Sequence, residues 1–235
     1  MTMVPALITM AVVPFVPMAV ADLNVGPLFI FAIASLSVYG ITLAGWSSNS
    51  KYPFFGGVRS CAQMISYEIA LGLSVIPVLM MFGTLNLGHI GLSLERWWML
   101  IPLGISFFIF TTSIFAETNR TPFDLPECET ELVGGYHTEY SSMKFALFFL
   151  GEYAAMIIGS ALIVTLFFGG WSIGFGIDSM LPTGAWWTKV TVFILFFILV
   201  RWTVPRFRYD QLMNLGWIVF FEAALINVFV AALIL

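Results

Sequence analysis

Long apolar runs cover most of this chain of 235 residues, and they constrain its fold more than any other feature. Seven runs can be drawn: residues 3–20, 26–46, 55–82, 97–115, 143–169, 186–204 and 211–234. A bilayer core about 30 Å thick needs roughly 20 apolar residues to be crossed by one helix. The runs lack the period-two alternation of a membrane barrel. They therefore predict an all-α integral membrane protein, a single polytopic domain over residues 1–235 built as a bundle of about seven transmembrane helices.

The composition leaves little room for structure outside the membrane. Hydrophobic residues make up 60% of the chain and charged residues only 9%, which excludes an ordinary soluble domain. No basic run indicates nucleic acid as a partner, and no charged segment precedes the first apolar run as in a cleavable signal. The two cysteines, Cys61 and Cys128, lack CxxC spacing and cannot by themselves build a zinc or iron–sulfur site. No metal ligand is therefore predicted.

Basic residues are distributed unequally between alternate connections. One side carries only Arg96 and Lys189. The other side carries Lys51, Arg59, Arg120, Lys144, Arg201, Arg206 and Arg208. Because cytoplasmic connections are enriched in Lys and Arg, the second side and the N-terminus are predicted to be cytoplasmic, and the C-terminus to lie outside. Tryptophans that begin two runs at the outer face would be interfacial anchors: Trp97, Trp98, Trp186 and Trp187.

Three acidic residues, Glu68, Glu152 and Glu222, lie inside apolar runs. An ionised acid at a helix centre costs about 2.5 to 3.5 kcal/mol on insertion, so each is expected to turn inward. Helical neighbours support this for two of them: Glu152 shares its face with Ala155 and Gly159, and Glu68 shares its face with Cys61 and Gly72.

Carboxyl groups buried on facing spans can bind and release protons when a neighbouring charge changes, as a proton relay requires. Glu68 and Glu152 are therefore candidates for a proton path. The alternative is an acid that stays protonated and hydrogen-bonds a neighbouring helix. Arg59 lies half a turn out of phase with Glu68 on the same helix, so it is expected to point toward an acid of the adjacent loop.

The longest connection, residues 116–142, is predicted to be an acidic cytoplasmic loop. Its segment PFDLPECETEL, with Glu117 and Glu139 on either side, holds six of the thirteen acidic residues. Asp124 and Glu127 resemble a capping box, and Gly134 and Gly135 would end a helix of two turns. Apolar and aromatic residues interleaved with the acids predict a loop folded onto protein: Phe123, Leu125, Leu132, Val133, Tyr136 and Tyr140. A solvated acidic loop is the alternative.

The segment RWTVPRFRYDQ, Arg201–Gln211, brings three arginines, Tyr209 and Asp210 to the same cytoplasmic side. It is either a solvated cluster between two helices, a clamp for a partner subunit, or the rim of a polar ligand mouth.

Several segments together resemble a known family. Ala116–Tyr153, AETNRTPFDLPECETELVGGYHTEYSSMKFALFFLGEY, is similar to the signature of the quinone-chamber membrane subunit of proton-translocating NADH:quinone oxidoreductase, respiratory complex I. Further similarities are ADLNVG at Ala21–Gly26, AGWSSNSKY at Ala44–Tyr52, the pattern RSCAQxxSYE at Arg59–Glu68, and RYDQ at Arg208–Gln211. The resemblance covers essentially the whole chain.

The resemblance implies a membrane subunit of a bacterial inner (plasma) membrane that forms the quinone-binding chamber and couples quinone reduction to proton translocation. Its implied partners are hydrophilic connecting-arm subunits, an antiporter-like membrane arm, quinone as substrate, and the lipid bilayer. NAD, FMN and iron–sulfur clusters would be held by partner subunits, and this chain would hold no redox centre or catalytic residue of its own.

The resemblance also implies roles for particular residues. The chamber wall and loop would comprise Arg59, Glu117, Arg120, Asp124, Glu127, Glu129, Glu131, Glu139, Arg208 and Asp210. Glu68 and Glu152 would begin the proton path into the membrane.

The sequence departs from the family pattern at two places. Family members normally have eight spans, and a first span, an amphipathic helix and a Gly-Glu-Arg-like motif precede the point where this chain begins. We expect this chain to lack those parts. Glu222 stands where many relatives have an apolar residue, so no role is transferred to it.

Two other functions remain as alternatives. The membrane subunit of an energy-converting hydrogenase has the same fold but tends to show a Thr-His-Leu-Glu-Leu-like sequence where this chain has ECETELVGGYHTEY. A stand-alone ion or solute transporter could use the buried acids as coupling sites, but this chain shows no inverted repeat.

Overall fold

The computed structural model describes residues 2–15, 20–90, 100–126, 134–170 and 182–235, which contain helices and no strand. In chain order the elements are α1 (Met3–Val12), α2 (Gly26–Ser47), α3 (Lys51–Phe82), the short α4 (Leu87–Ile90), α5 (Leu100–Glu117), a 3-10 turn (Gly135–His137), α6 (Ser142–Phe167), α7 (Pro182–Thr203) and α8 (Tyr209–Ile234). Among the described residues, the five helices α2, α3, α6, α7 and α8 are long and apolar enough to cross a membrane. The prediction of an all-α membrane protein is confirmed.

Helix α1 is shorter than the apolar run from which it was predicted. The run covers residues 3–20, but the helix ends at Val12 and the backbone is extended at Val13. Pro14 has no N–H for a helical hydrogen bond, and its ring disfavours a helical conformation of Val13. Ten residues rise about 15 Å, half the thickness of a bilayer core. Hydropathy alone therefore overstated the length of this helix.

Helix α3, with 32 residues, is the central element. It packs against α2, α5 and α8. Glycines permit a close approach of α2 to α3, because a Cβ atom on Gly45 of α2 would lie 2.7 Å from the carbonyl oxygen of Pro53. The backbones of α2 and α3 touch there without intervening side chains, as is common between membrane helices.

The connections bring the charged segments to one end of the bundle. The hydroxyl of Tyr140, at the start of α6, donates a hydrogen bond to the carbonyl oxygen of Ala44 in α2 (3.0 Å). Arg206, between α7 and α8, forms an ion pair with Asp124 after α5 (3.1 Å). The connections predicted to be cytoplasmic therefore meet at the same end of the bundle.

The opposite end is held by other contacts. The side chain of Asn86 donates to Asp22 at 2.8 Å, and the rings of Phe15 and Trp186 lie 5.4 Å apart. Trp186 is fully buried, so its prediction as an interfacial anchor is wrong, whereas Trp187 is about half exposed. The other two predicted anchors, Trp97 and Trp98, lie outside the described residues.

Candidate functional site

A partly enclosed cavity of about 100 Å³ lies between α1, α2, α3, α5 and α6, and residues next to the acidic loop line part of it. Its walls are largely apolar, with side chains such as Ile30, Phe31 and Phe110. Polar side chains line the cavity as well: Glu117, Asn119, Tyr136 and Glu152. The cavity thus combines an apolar surface with carboxyl groups, as ligand sites for hydrophobic molecules with a polar head commonly do.

Glu152 is held by two side chains of the connection between α5 and α6. Arg120 forms an ion pair with one carboxylate oxygen (Nη2–Oε2, 3.1 Å), and the hydroxyl of Tyr136 donates a hydrogen bond to the other (2.8 Å). The side chains of Arg120 and Glu152 are only 9% and 11% exposed. The guanidinium also lies over the ring of Tyr153, 4.4 Å from its centroid, which supports it by a cation–π contact. The predicted inward orientation of Glu152 is confirmed.

Local backbone structure fixes the position of Arg120. Helix α5 ends at Glu117, and the N–H of Arg120 donates to the carbonyl oxygen of Phe115 (3.2 Å), while Asn119 has a positive φ of 49°. Asn tolerates the left-handed conformation better than most residues. The chain therefore turns back at the end of α5, directly after the cavity-lining Glu117.

Gln63, which the sequence analysis did not select, ties this turn to α3. It is fully buried, and its amide nitrogen lies 2.9 Å from the carbonyl oxygens of both Ala116 and Phe123. Asn119 adds a hydrogen bond from its amide nitrogen to the hydroxyl of Ser60 (3.2 Å). Part of the signal was present, because Ser60 and Gln63 are polar residues spaced three apart within an apolar run; that spacing indicates a face in contact with protein but does not identify the partners.

Glu117 and Glu68 lie on neighbouring helices and are close enough for their charges to interact. Both side chains are partly buried. Met64 and Leu71, one turn on either side of Glu68, line the cavity. The structure therefore brings a residue of the predicted proton path beside a residue of the predicted chamber wall.

The first part of the acidic loop is folded onto the bundle. Phe123 and Leu125 are buried, each 3% exposed, and Phe123 stacks on Phe207 with ring centroids 5.6 Å apart. Tyr136 is also buried, and its backbone lies against Gly56 of α3. The expectation that these aromatic and apolar residues hold the loop against protein is confirmed for the described part. Glu127, Glu129, Glu131 and most of the helix predicted between Asp124 and Gly135 lie outside the described residues.

The remaining candidates lie nearer the surface. Arg59 lies over the ring of Tyr209, 5.7 Å from its centroid. Arg208 and Asp210 are exposed and form an ion pair with each other (3.3 Å). Glu139 is exposed beside the start of α6. These residues are not brought into the cavity, in contrast to Glu117 and Glu152.

Within the described residues, no group of three or more His, Cys, Asp or Glu side chains could hold a metal ion. The carboxyl groups of Glu117 and Glu152 and the phenol of Tyr136 line the cavity, and they can bind protons and respond to charge.

Comparison with known proteins assigns this architecture to a family. The family model described as NADH dehydrogenase matches residues 1–232. The chain belongs to this family. The match extends from α1 into the last turn of α8 and so covers the whole bundle.

Individual members are similar over most of their length. The chain is 55% identical over 234 residues to the H subunit of NADH-quinone oxidoreductase from Rickettsia africae, covering 95% of this chain and 68% of that one. It is 52% identical over 236 residues to the protein of that name from Rhodospirillum centenum, covering 99% and 70%. It is 47% identical over 247 residues to the first H subunit of NADH-quinone oxidoreductase from Cytophaga hutchinsonii, covering 97% and 72%.

Proposed function

We propose that this chain is the membrane subunit of a proton-translocating NADH:quinone oxidoreductase, respiratory complex I, and that its cavity is part of the quinone-binding chamber. The observation that carries the proposal is the largely apolar cavity lined by Glu117, Tyr136 and Glu152, with Arg120 paired to Glu152 behind the cavity wall. The names of the relatives favour this enzyme over the membrane subunit of an energy-converting hydrogenase and over a stand-alone transporter.

The cavity has the chemical character that a quinone requires. Its apolar walls suit an aromatic ring and an isoprenoid chain, and its polar side chains suit the two ring oxygens. A volume of about 100 Å³ is small for such a molecule, so this cavity is one segment of a chamber that partner subunits complete. Those partners are the hydrophilic connecting arm and the antiporter-like membrane arm of the complex.

Reduction of a quinone to a quinol takes up two electrons and two protons. The electrons would come from an iron–sulfur cluster of a partner subunit, which itself receives them from NADH through FMN. This chain supplies groups that bind protons and respond to charge. A negative charge that appears on the reduced quinone favours protonation of carboxyl groups nearby. Among the acidic residues in the described part of the chain, Glu117 lines the cavity and also interacts with Glu68.

The proton path then runs from Glu117 to Glu68 on α3, with Glu152 as a second branch on α6. Glu152 is bound by Arg120 and Tyr136, so a change of its protonation alters both the ion pair and the hydrogen bond. Those changes are transmitted to the loop that carries Arg120 and Tyr136. As part of the proposal, the loop acids Asp124, Glu127, Glu129, Glu131 and Glu139 contribute to the chamber wall.

The orientation follows from the end at which the basic residues are gathered. That end, with Arg120, Lys144 and Arg206, faces the cytoplasm of a bacterial cell, and the C-terminus of α8 faces the outside of the inner membrane. The hydrophilic arm therefore docks on the acidic loop.

The proposal is tested with Glu117→Gln and Glu152→Gln in the assembled complex. NADH:quinone reductase activity and proton pumping in membrane vesicles are each expected to fall at least about tenfold in one or both variants, because the amide cannot accept a proton. The rate of NADH oxidation with a hydrophilic artificial electron acceptor should stay unchanged, since this reaction takes place on the partner subunits alone. Asp22→Asn, at the opposite end of the bundle, is the matched control. Reductase activity and pumping within about twofold of wild type in both variants would overturn the proposal.

A further inference from the structure

Helix α8 has two faces of different character. Its inner face, Phe220, Ala224, Asn227 and Ala231, is buried against the bundle. The residues on its outer face are exposed along the length of the helix: Ile218, Glu222, Leu225, Ile226, Phe229 and Leu233. Glu222 follows Phe220 by two positions, about 200° around a helix, so it lies opposite the buried face. The helix thus points its acidic residue away from the rest of this chain.

The position of Glu222 along α8 places it deep in the membrane. Helix α8 comprises 26 residues, and Glu222 lies about 20 Å from either end of it at 1.5 Å per residue. With a hydrocarbon core about 30 Å thick, neither interface is within easy reach of a Glu side chain. The carboxyl group makes no hydrogen bond or ion pair with any residue that the structure describes.

Asn227 on the same helix shows that this chain supplies acceptors for an amide donor at membrane depth. Its amide donates to the carbonyl oxygen of Pro102 (3.0 Å) and to the hydroxyl of Ser106 (2.8 Å), and the side chain is fully buried. Among the described residues, Glu222 has no such partner on α5 or α3, the helices that cover the inner face. An acidic side chain left in lipid at this depth costs about 2.5 to 3.5 kcal/mol, and such residues almost always face protein.

The helix is also irregular immediately before Glu222. Residues Leu215–Phe220 form a π-helical segment, in which one turn contains an additional residue. Such a segment shifts the phase of the residues that follow by about 100°, and π-helical turns are frequent at functional sites. The shift allows Phe220 and Ala224 to face the bundle while Glu222 remains outside it.

We propose that the outer face of α8 is the docking surface for a transmembrane helix of a partner subunit, and that this helix donates a hydrogen bond to Glu222 at mid-membrane. The partner segment is a helix because exposed backbone polar groups are not tolerated at this depth. Its donor is a Lys, Arg, His or hydroxyl side chain, which pairs with the carboxyl group. The inference rests on the proposed function, since a membrane subunit of a multi-subunit complex is covered by other membrane subunits.

The first test compares Glu222→Lys with Leu195→Lys, which puts the same charge at a similar depth on the exposed face of α7. The fraction of this chain found in the intact complex is measured by native electrophoresis of detergent-solubilised membranes. Glu222→Lys is expected to lower that fraction at least about tenfold relative to Leu195→Lys, because it removes the acceptor and places a cation against the partner's donor. Glu222→Gln keeps an acceptor oxygen and should stay within about twofold of wild type.

The second test identifies what covers the face. A photo-crosslinking amino acid at Ile226, one helical turn from Glu222, should form a product with a membrane segment of another subunit in the intact complex. Products with lipid only, or with a second copy of this chain, would overturn the proposal, and so would equal assembly of the two lysine variants. The two proposals fail differently. If wild type does not co-migrate with NADH-oxidising subunits, the proposed function is wrong; if it does and Glu222→Lys does too, only the docking surface is wrong.

Discussion

Glu152 and Glu222 are both acidic residues within membrane-spanning helices, but they have opposite surroundings. Glu152 points into the bundle, where Arg120 and Tyr136 of the same chain hold both of its oxygens. Glu222 points out of the bundle and is exposed. A carboxyl group in the membrane requires partners in either case. The difference indicates that the chain forms its own site around Glu152 and depends on another subunit around Glu222.

The largest effect is expected from Arg120→Leu, which removes the cation beside Glu152. An acid left without its buried partner typically destabilises a protein by about 3 to 5 kcal/mol. We expect a lower yield of assembled complex and loss of quinone reductase activity. Arg208→Leu is the matched comparison, because it breaks the exposed Arg208–Asp210 pair and should cost less than about 1 kcal/mol.

These variants are compared by thermal unfolding of the purified complex and by reductase assays. Equal unfolding temperatures for Arg120→Leu and Arg208→Leu would show that the buried pair contributes no more than the exposed one. The partners of Glu152 within this chain would then not stabilise the complex, and its surroundings would have no energetic advantage over those of Glu222.

An intermediate effect is expected from Gly56→Ala in α3. A Cβ atom there would lie 2.8 Å from the backbone nitrogen of Tyr136, so the turn that carries Tyr136 must move away from α3. Overpacking of this kind costs about 1 to 3 kcal/mol. Gly72→Ala on the same helix has no atom within 4 Å of the added Cβ and should leave stability unchanged or slightly higher.

The measurements are again the unfolding temperature and the reductase activity of the complex. If Gly56→Ala behaves like Gly72→Ala in both, the position of the turn is not important for the cluster around Glu152.

The smallest effect is expected from Tyr136→Phe, which removes only the hydroxyl that donates to Glu152 at 2.8 Å. The ion pair with Arg120 remains to stabilise the carboxylate, so we expect a net loss of about 1 kcal/mol or less. Quinone reductase activity should fall several-fold, and its pH profile should shift while assembly stays normal. Tyr39→Phe, at an exposed position of α2, provides the control. An unchanged pH profile would contradict a role of Tyr136 at Glu152.

The sequence predicted the surroundings of Glu152 better than those of Glu222. Ala155 and Gly159 beside Glu152 indicated a face in contact with protein, and a Cβ atom on Gly159 would indeed lie 2.6 Å from the side chain of Ile114. The aromatic residues between the loop acids indicated a folded loop, and Phe123 and Tyr136 are buried. The general expectation that membrane acids turn inward is wrong for Glu222 within this chain, because a single sequence does not reveal which subunit covers a helix.

Other differences have local physical reasons. The apolar run 3–20 reads as one span, but Pro14 ends α1 at Val12. Trp186 begins a run where an interfacial anchor is expected, but packing against Phe15 buries it. The role of Gln63 depends on carbonyl groups 53 and 60 positions further along the chain, which no local pattern connects to it.

By itself the sequence determined the class of the protein, the approximate positions of its helices, the end at which its charges gather and its family, because hydropathy, charge and motifs are properties of segments. The tertiary structure decided which charges meet. Arg120 reaches Glu152 across 32 positions, and Glu117 comes beside Glu68 only because the helices pack at particular angles and depths. Ion pairs depend on distances of a few ångströms, and such distances between remote residues are fixed by packing of the whole bundle.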